Sequence, residues 1–319
     1  MTRRDTLRAA MAAGSLLRAR AVSAKAAQPA TPVNFDVPPQ ACDCHTHIFG
    51  DIRRFPLWPG RVYTPEPASP DEMRELHRAL HMQRVVIVNP SVYGTDNSAT
   101  LFGIKARGAN ARGVAVIDDQ TPDSDLDRMA RQGIRAIRLN LATAGQIDPA
   151  IARQRFQEAV KRVQQRAWHI QMYTTLEVIS GIRDLVQASP VPVVFDHFGG
   201  AQAALGVHQP GFADLAGLVK SGQAYVKISG AYRSSTQPDY ADVKPLAQML
   251  IAANVDRIVW GTDWPHPNST PQAGHKATDV TPLYQVDDGQ LLNLLPVWAP
   301  DAAVRKKILV ENPARLYGF

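Results

Sequence analysis

Short runs rich in valine and isoleucine recur along the chain, separated by stretches whose apolar residues return at three- and four-residue intervals. The runs occupy residues 41–47, 84–89, 113–117, 134–139, 168–173, 192–197, 224–229 and 257–262. Most are apolar nearly throughout, the pattern of strands covered on both faces and hence of a parallel sheet under helices. The stretches between them carry helix start signals. Ser69, Pro70, Asp71 and Glu72 read as a capping box with proline at the first helical position. Asp148 and Pro149 open a helix on which Phe156, Val160 and Val163 repeat at helical spacing. Residues 175–187, 212–220 and 243–253 carry similar patterns, and 281–296 and 300–311 read as closing helices. Eight such units predict an α/β fold, a single (β/α)₈ TIM barrel spanning residues 41–319. The rival is an open doubly wound sheet, but no glycine-rich phosphate loop follows the first run.

Composition supports a globular body: of 319 residues, 45% are hydrophobic and 20% charged. No apolar stretch approaches the roughly 18 residues of a membrane span, which argues against a membrane partner. The net charge of +6 points to a nucleic-acid binder only until it is located. Within residues 1–30, Arg3, Arg4, Arg8, Arg18, Arg20 and Lys25 face a single acid, Asp5. The rest of the chain is near neutral, so a polyanion-binding face is not expected. Residues 1–40 form an N-terminal tail before the barrel, and Arg3-Arg4-Asp5-Thr6-Leu7 resembles a twin-arginine export signal. Small residues follow around Ser23 to Ala27, whereas Arg18 and Arg20 interrupt the apolar region. The expectation is a periplasmic protein if that signal is used and a cytoplasmic one if not. Cys42 and Cys44 are the two cysteines; at i, i+2 on a strand they would make a strained bridge, so both are expected to be reduced.

Working residues of a parallel barrel sit at the C-terminal ends of its strands. The first run ends His45-Thr46-His47, the sixth Asp196-His197-Phe198-Gly199-Gly200, and the eighth Gly261-Thr262-Asp263. His45 and His47 alternate onto one face, expected to be the barrel interior. Each taken alone is explained by packing or a loop hydrogen bond. Three imidazoles and a carboxylate at strand ends of one barrel point instead to a site for water activation, with Asp263 as base and the histidines beside the developing oxyanion.

At this point a resemblance becomes specific. Asp43-Cys44-His45-Thr46-His47, Asp196-His197 and Trp260-Gly261-Thr262-Asp263-Trp264-Pro265-His266 resemble the amidohydrolase superfamily, and within it the branch of 2-pyrone-4,6-dicarboxylate hydrolase-like lactonases. Arg61-Val62-Tyr63-Thr64-Pro65, the segment Pro90 to Asn97, Trp168-His169-Ile170-Gln171 and Val226-Lys227-Ile228-Ser229-Gly230 support the same branch, from about residue 41 to the end of the chain. The resemblance implies a carboxylic-ester hydrolase that opens a lactone ring in aromatic-compound catabolism. It implies Asp263 as the general base and His45, His47 and His197 as the groups that polarise the carbonyl or hold a metal.

Ligand types suit a single zinc ion on His45, His47, His197 and Asp263, or no metal. The fifth run ends at Tyr173 rather than histidine, and the fourth ends Arg138-Leu139-Asn140 without a lysine for a carbamate bridge. Both features argue against a dinuclear centre, and the missing histidine argues against a decarboxylase. Arg138, Lys227 and Arg233, at or just beyond strand ends four and seven, suggest a small anionic lactone as the partner. Tyr63, Ser91, Tyr93 and Tyr173 are candidate hydroxyl donors to it. In one respect the chain departs from the dicarboxylate hydrolases: no basic residue lies in 141–145, where they carry a second arginine. The substrate is therefore open between a pyrone dicarboxylate, a muconolactone bearing a sulfonate, and a sugar-acid lactone. A sugar-acid lactone isomerase and a catalytically inert solute binder are the alternatives.

Overall fold

A computed structural model describes residues 26–143, 145, 148–269 and 274–319. The twin-arginine-like segment lies outside the described residues. Eight parallel strands follow one another around a barrel in chain order: β1 (Cys42–Thr46), β2 (Arg84–Val88), β3 (Ala111–Ala115), β4 (Ile134–Asn140), β5 (His169–Tyr173), β6 (Val193–Phe195), β7 (Ala224–Ser229) and β8 (Ile258–Gly261). The ring closes just past β8, where Thr46 pairs with Trp264, His47 N donates to Trp264 O at 2.8 Å and Asp263 N donates to His45 O at 2.8 Å. The fold is a single TIM barrel, as the strand–helix alternation predicts.

The helices form where the sequence signals them. Pro70–Ala79 carries the full capping box, Ser69 accepting from Glu72 N and the Glu72 carboxylate accepting from Ser69 N at 2.9 Å. Pro149–Val163 is capped by Asp148. Several boundaries differ from the sequence reading. β3 begins two residues earlier than expected because Ala111 and Arg112 pair with Val85 and Val86. It stops early because the Asn97 side chain takes both Val116 N and Val116 O, at 2.9 and 2.8 Å. The expected helix over 281–296 starts only at Asp288, where Asp287 caps it; before that, Val280–Thr281 pairs with Thr64–Pro65 across the mouth. Residues 175–187 break into two helices at Ile182, and 300–311 divide into Ala302–Lys306 and a π-turn, Lys307–Glu311.

Two apolar bodies hold the molecule. The larger lies between the strands and the helical coat. The smaller fills the barrel below its mouth with Cys42, Cys44, Val86, Val114, Val194 and Val259, closed underneath by Tyr317. Both cysteines are free thiols within it.

That packing exposes a conflict with strict alternation. With Cys42 and Cys44 inside, His45 and His47 should point outward. The register resolves it: Asp43 sits opposite Val85 but Thr46 opposite Ile87, so β1 carries one more residue than its partner, a β-bulge. The bulge returns both histidines to the interior. The Asp43 carboxylate fills the gap, accepting from His45 N at 3.1 Å, Thr262 N at 3.0 Å and Thr262 Oγ1 at 2.7 Å, with His77 Nε2 at 3.2 Å. β8 can approach so closely because residue 261 is glycine: a Cβ there would lie 2.7 Å from His45 N.

Residues 26–40, read from the sequence as tail, lie against the barrel. Trp264 Nε1 donates to Ala27 O at 3.0 Å, and Thr31 donates to the Asp287 carboxylate through N and Oγ1 at 2.9 and 2.6 Å. Among the described residues no helix is long and apolar enough to cross a membrane.

Candidate active site

Asp263 is fully buried at the end of β8, with φ at 68°. A non-glycine residue in that region stores roughly 1–3 kcal/mol of strain, held here by the barrel closure around it. Its two carboxylate oxygens have different surroundings. Oδ2 accepts from Tyr232 OH at 2.6 Å and Arg233 Nε at 2.5 Å. Oδ1 makes no hydrogen bond. Around it stand His47 Nε2 at 3.4 Å, His45 Nε2 at 3.5 Å and His197 Nε2 at 3.7 Å. Burial works against ionisation of Asp263, but the Arg233 charge beside Oδ2 outweighs it and holds the carboxyl well below the usual range.

The histidines are neutral. Burial lowers the basicity of His45 and His47 and brings His197 down to about 4. Which nitrogen carries the proton follows from the far side of each ring. His47 Nδ1 lies 2.8 Å from Val88 O, a pure acceptor, so it must donate. His197 Nδ1 lies 2.9 Å from Ser229 Oγ. His45 Nδ1 lies 3.2 Å from Asp196 Oδ1 and 3.3 Å from Lys227 Nζ. Lys227 also donates to Gln171 Oε1, at 2.7 Å, so its ammonium is shared between Gln171 and the His45 side of the layer. With its proton on Nδ1, His47 directs its Nε2 lone pair at Asp263 Oδ1, beside the Nε2 atoms of His45 and His197. Such a set binds something positive or protic between its members.

Under this rim lies a charged layer. Lys227 and Asp196 are both fully buried, 3.4 Å apart; Arg138 donates to Asp196 Oδ2 at 3.2 Å and Gln171 Nε2 donates to it at 2.9 Å. Burial opposes the Asp196 charge, yet the Lys227 ammonium, with Arg138, keeps it well below the usual carboxylate range. Burial in turn lowers the Lys227 ammonium. Two His/Asp groups can hold a metal ion, one of His45, His47 and Asp263 and one of His45, Asp196 and His197. The first is the better site, since Asp196 is already committed to Lys227, Arg138 and Gln171.

The structure brings His45, His47, His197 and Asp263 together at the mouth. A cavity of about 20 Å³ opens above them, lined by His47, His197 and Asp263 and also by Tyr63, Ser91, Arg138, Tyr173 and Arg233, with His45 behind its wall. Tyr63, pushed up to about 12 by burial, is a neutral hydroxyl there. Two residues expected to contact substrate do not line that cavity. Tyr93 OH is turned away to accept from Gly50 N at 3.0 Å. Lys227 is fully buried in the charged layer beneath the histidines. Arg233 does reach the cavity, but its Nε is engaged with Asp263. Sequence reasoning missed Tyr232, Asn140, Thr143, Pro267 and Ser269. Tyr232 has no periodic signature, since it follows the left-handed turn at Gly230 after β7.

Comparison with known proteins now adds to this geometry. The family model described as Amidohydrolase matches residues 42–319. The chain belongs to the amidohydrolase family. Among curated relatives of this family member, the 4-sulfomuconolactone hydrolase of Rhizobium radiobacter is 33% identical over 291 residues, covering 90% of this chain and 93% of the relative. The 2-pyrone-4,6-dicarboxylate hydrolase of Comamonas testosteroni is 33% identical over 301 residues, covering 91% and 94%. A solved apo structure from Agrobacterium tumefaciens superposes with a TM-score of 0.76 at 27% identity, covering 91% of this chain and 98% of the other.

The charged layer generates a prediction. Replacing Lys227 with methionine, similar in volume but uncharged, leaves Asp196 buried with weakened compensation. The expected cost is roughly 3 kcal/mol, read from the denaturant midpoint at constant slope. A cost below about 1 kcal/mol would show that Lys227 does not carry this layer.

Proposed function

We propose that this amidohydrolase opens the lactone ring of a small anionic substrate by adding water. The observation that carries the proposal is the free Asp263 Oδ1, ionised and facing three Nε2 atoms in a cavity of about 20 Å³. A site of that size and polarity has room for about one water molecule. Asp263 Oδ1 takes a proton from it as its oxygen bonds to the lactone carbonyl carbon. The ring C–O bond then breaks, the departing oxygen takes the proton back, and a hydroxy acid results. Arg233 and Tyr232 fix the carboxylate from behind, so Oδ1 faces the water in one orientation. Arg138, whose Nε makes no hydrogen bond, points a guanidinium into the cavity and pairs with the substrate's anionic group. The names of the hydrolase relatives support this reading.

The same residues fit a single zinc ion. Zinc–ligand bonds of about 2.0–2.1 Å in a tetrahedron place ligand atoms about 3.3–3.4 Å apart. The observed separations from Asp263 Oδ1 are 3.4, 3.5 and 3.7 Å. His45, His47, His197 and Asp263 Oδ1 would hold the ion, and its chemistry there would be to acidify water and polarise the carbonyl.

Turnover of a carboxylated lactone in ¹⁸O-water should place one heavy oxygen in the product carboxylate. Asp263→Asn should lower kcat by roughly 10²–10⁴-fold with an unchanged circular dichroism spectrum. A product free of solvent oxygen would replace hydrolysis by isomerisation, and an undiminished Asp263→Asn enzyme would remove Asp263 as base. Elemental analysis should find about one zinc per chain, lost with activity on chelation and restored by zinc. Full turnover by metal-free protein would rule out zinc as the group that polarises the carbonyl.

A further inference from the structure

The cavity over Asp263 is too small for a ring, so most of the substrate must lie beyond it. Three of its wall residues, Ser91, Asn140 and Thr143, also line a second cavity of about 530 Å³. Trp58, Val62 and Arg155 lie on the walls of that second space. Arg155 and Asn140 further border a third cavity of about 310 Å³. The route outward from the catalytic carboxylate thus runs past one side-chain amide to one guanidinium.

Three observations mark this route as built for a ligand. Arg155, on the outer face of helix Pro149–Val163, forms no ion pair or hydrogen bond among the described residues. Asp118, the acid lining the second cavity, gives Oδ1 to Thr121 Oγ1 at 2.8 Å and Gln120 N at 3.1 Å, and Glu158, which lines the third, accepts from Gln154 Nε2 at 3.0 Å. At the junction, the Asn140 side-chain oxygen is buried and has no hydrogen-bond partner. Finally, Trp58 is 50% exposed yet held in place. Its backbone N donates to Val92 O at 2.8 Å, and its ring lies against Gly60 and Gly94, where an added Cβ would come within 2.5 and 3.0 Å of it. A half-exposed indole held against two glycines is a preset flat apolar wall.

We infer that Arg155 is a specificity-determining residue, and that the substrate carries a second anionic group, a carboxylate or sulfonate, on an arm extending from the lactone ring past Asn140 and along Trp58 to that guanidinium. This rests on the lactonase reading of the site and adds the length and second charge of its substrate. Arg138 takes the anion close to the ring and Arg155 the distal one. Because Arg155 is solvent-exposed, its pair with the arm contributes less than a buried one.

The test compares two γ-lactones, one with a single ring carboxylate and one with an added carboxymethyl arm. Each is assayed for turnover by wild type, Arg155→Gln and Arg155→Glu, and for calorimetric binding to the same proteins carrying Asp263→Asn. For the two-armed lactone, Arg155→Gln should raise KM and the dissociation constant about two- to fivefold, and Arg155→Glu should raise both further. In both variants kcat should stay within about twofold, and the one-armed lactone should be unaffected. Equal effects on both lactones, or none on either, overturn the inference. If neither lactone is opened but Arg155 still selects the two-armed one in binding, the hydrolytic reading falls and this inference stands. If both are opened without regard to Arg155, the reverse holds.

Discussion

The site depends on the unequal sharing of one carboxylate. Asp263 gives Oδ2 to Tyr232 and Arg233 and keeps Oδ1 free, facing three imidazole nitrogens. The ion pair behind it keeps the group charged despite complete burial. Were both oxygens satisfied by the protein, no proton acceptor would remain. Were neither, burial would favour the neutral acid, which accepts no proton from water. The outer contacts of the histidines complete the arrangement. Val88 O and Ser229 Oγ occupy the Nδ1 atoms of His47 and His197, and Lys227 and Asp196 stand at that of His45, so the three Nε2 atoms face Asp263 Oδ1.

This arrangement is produced by the closure of the barrel. The β-bulge in β1 turns His45 and His47 inward, and the Asp43 carboxylate ties the bulge to Thr262. Gly261 then lets the last strand come close enough for Asp263 N to donate to His45 O. The Asp263 carboxylate and the first histidine are therefore joined through backbone as well as face to face. Trp264, the next residue, reaches outward to Ala27, so the segment before the barrel also braces the seam.

Much of this was legible in the sequence. Valine- and isoleucine-rich runs mark six of the eight strands because a parallel barrel covers both faces of each strand; β1 has neither residue and β5 a single isoleucine. The four chemical residues stand at strand ends, where the fold puts its active groups. What stayed hidden depends on tertiary geometry. The bulge between Asp43 and Thr46 leaves no trace in an alternating pattern, and the inward histidines follow from it rather than from alternation. Lys227 reads as a substrate cation because it sits on a strand near the mouth, but it lies one layer lower, held by Asp196 and Gln171. Tyr93 reads as a hydroxyl donor to substrate, but the Gly50 amide occupies its oxygen. Tyr232 is set by a turn, and the extended course of 281–287 by pairing across the mouth; neither has a period that sequence can show.

The account turns on where the imidazole protons sit, and ¹⁵N chemical shifts of labelled histidine report this directly at neutral pH. His45, His47 and His197 are predicted to show protonated Nδ1 and proton-free Nε2, the latter shifted further if an ion is bound. Protonated Nε2 atoms on His45 and His47, donating to Asp263, would contradict the account, because the carboxylate would then be occupied by the protein itself.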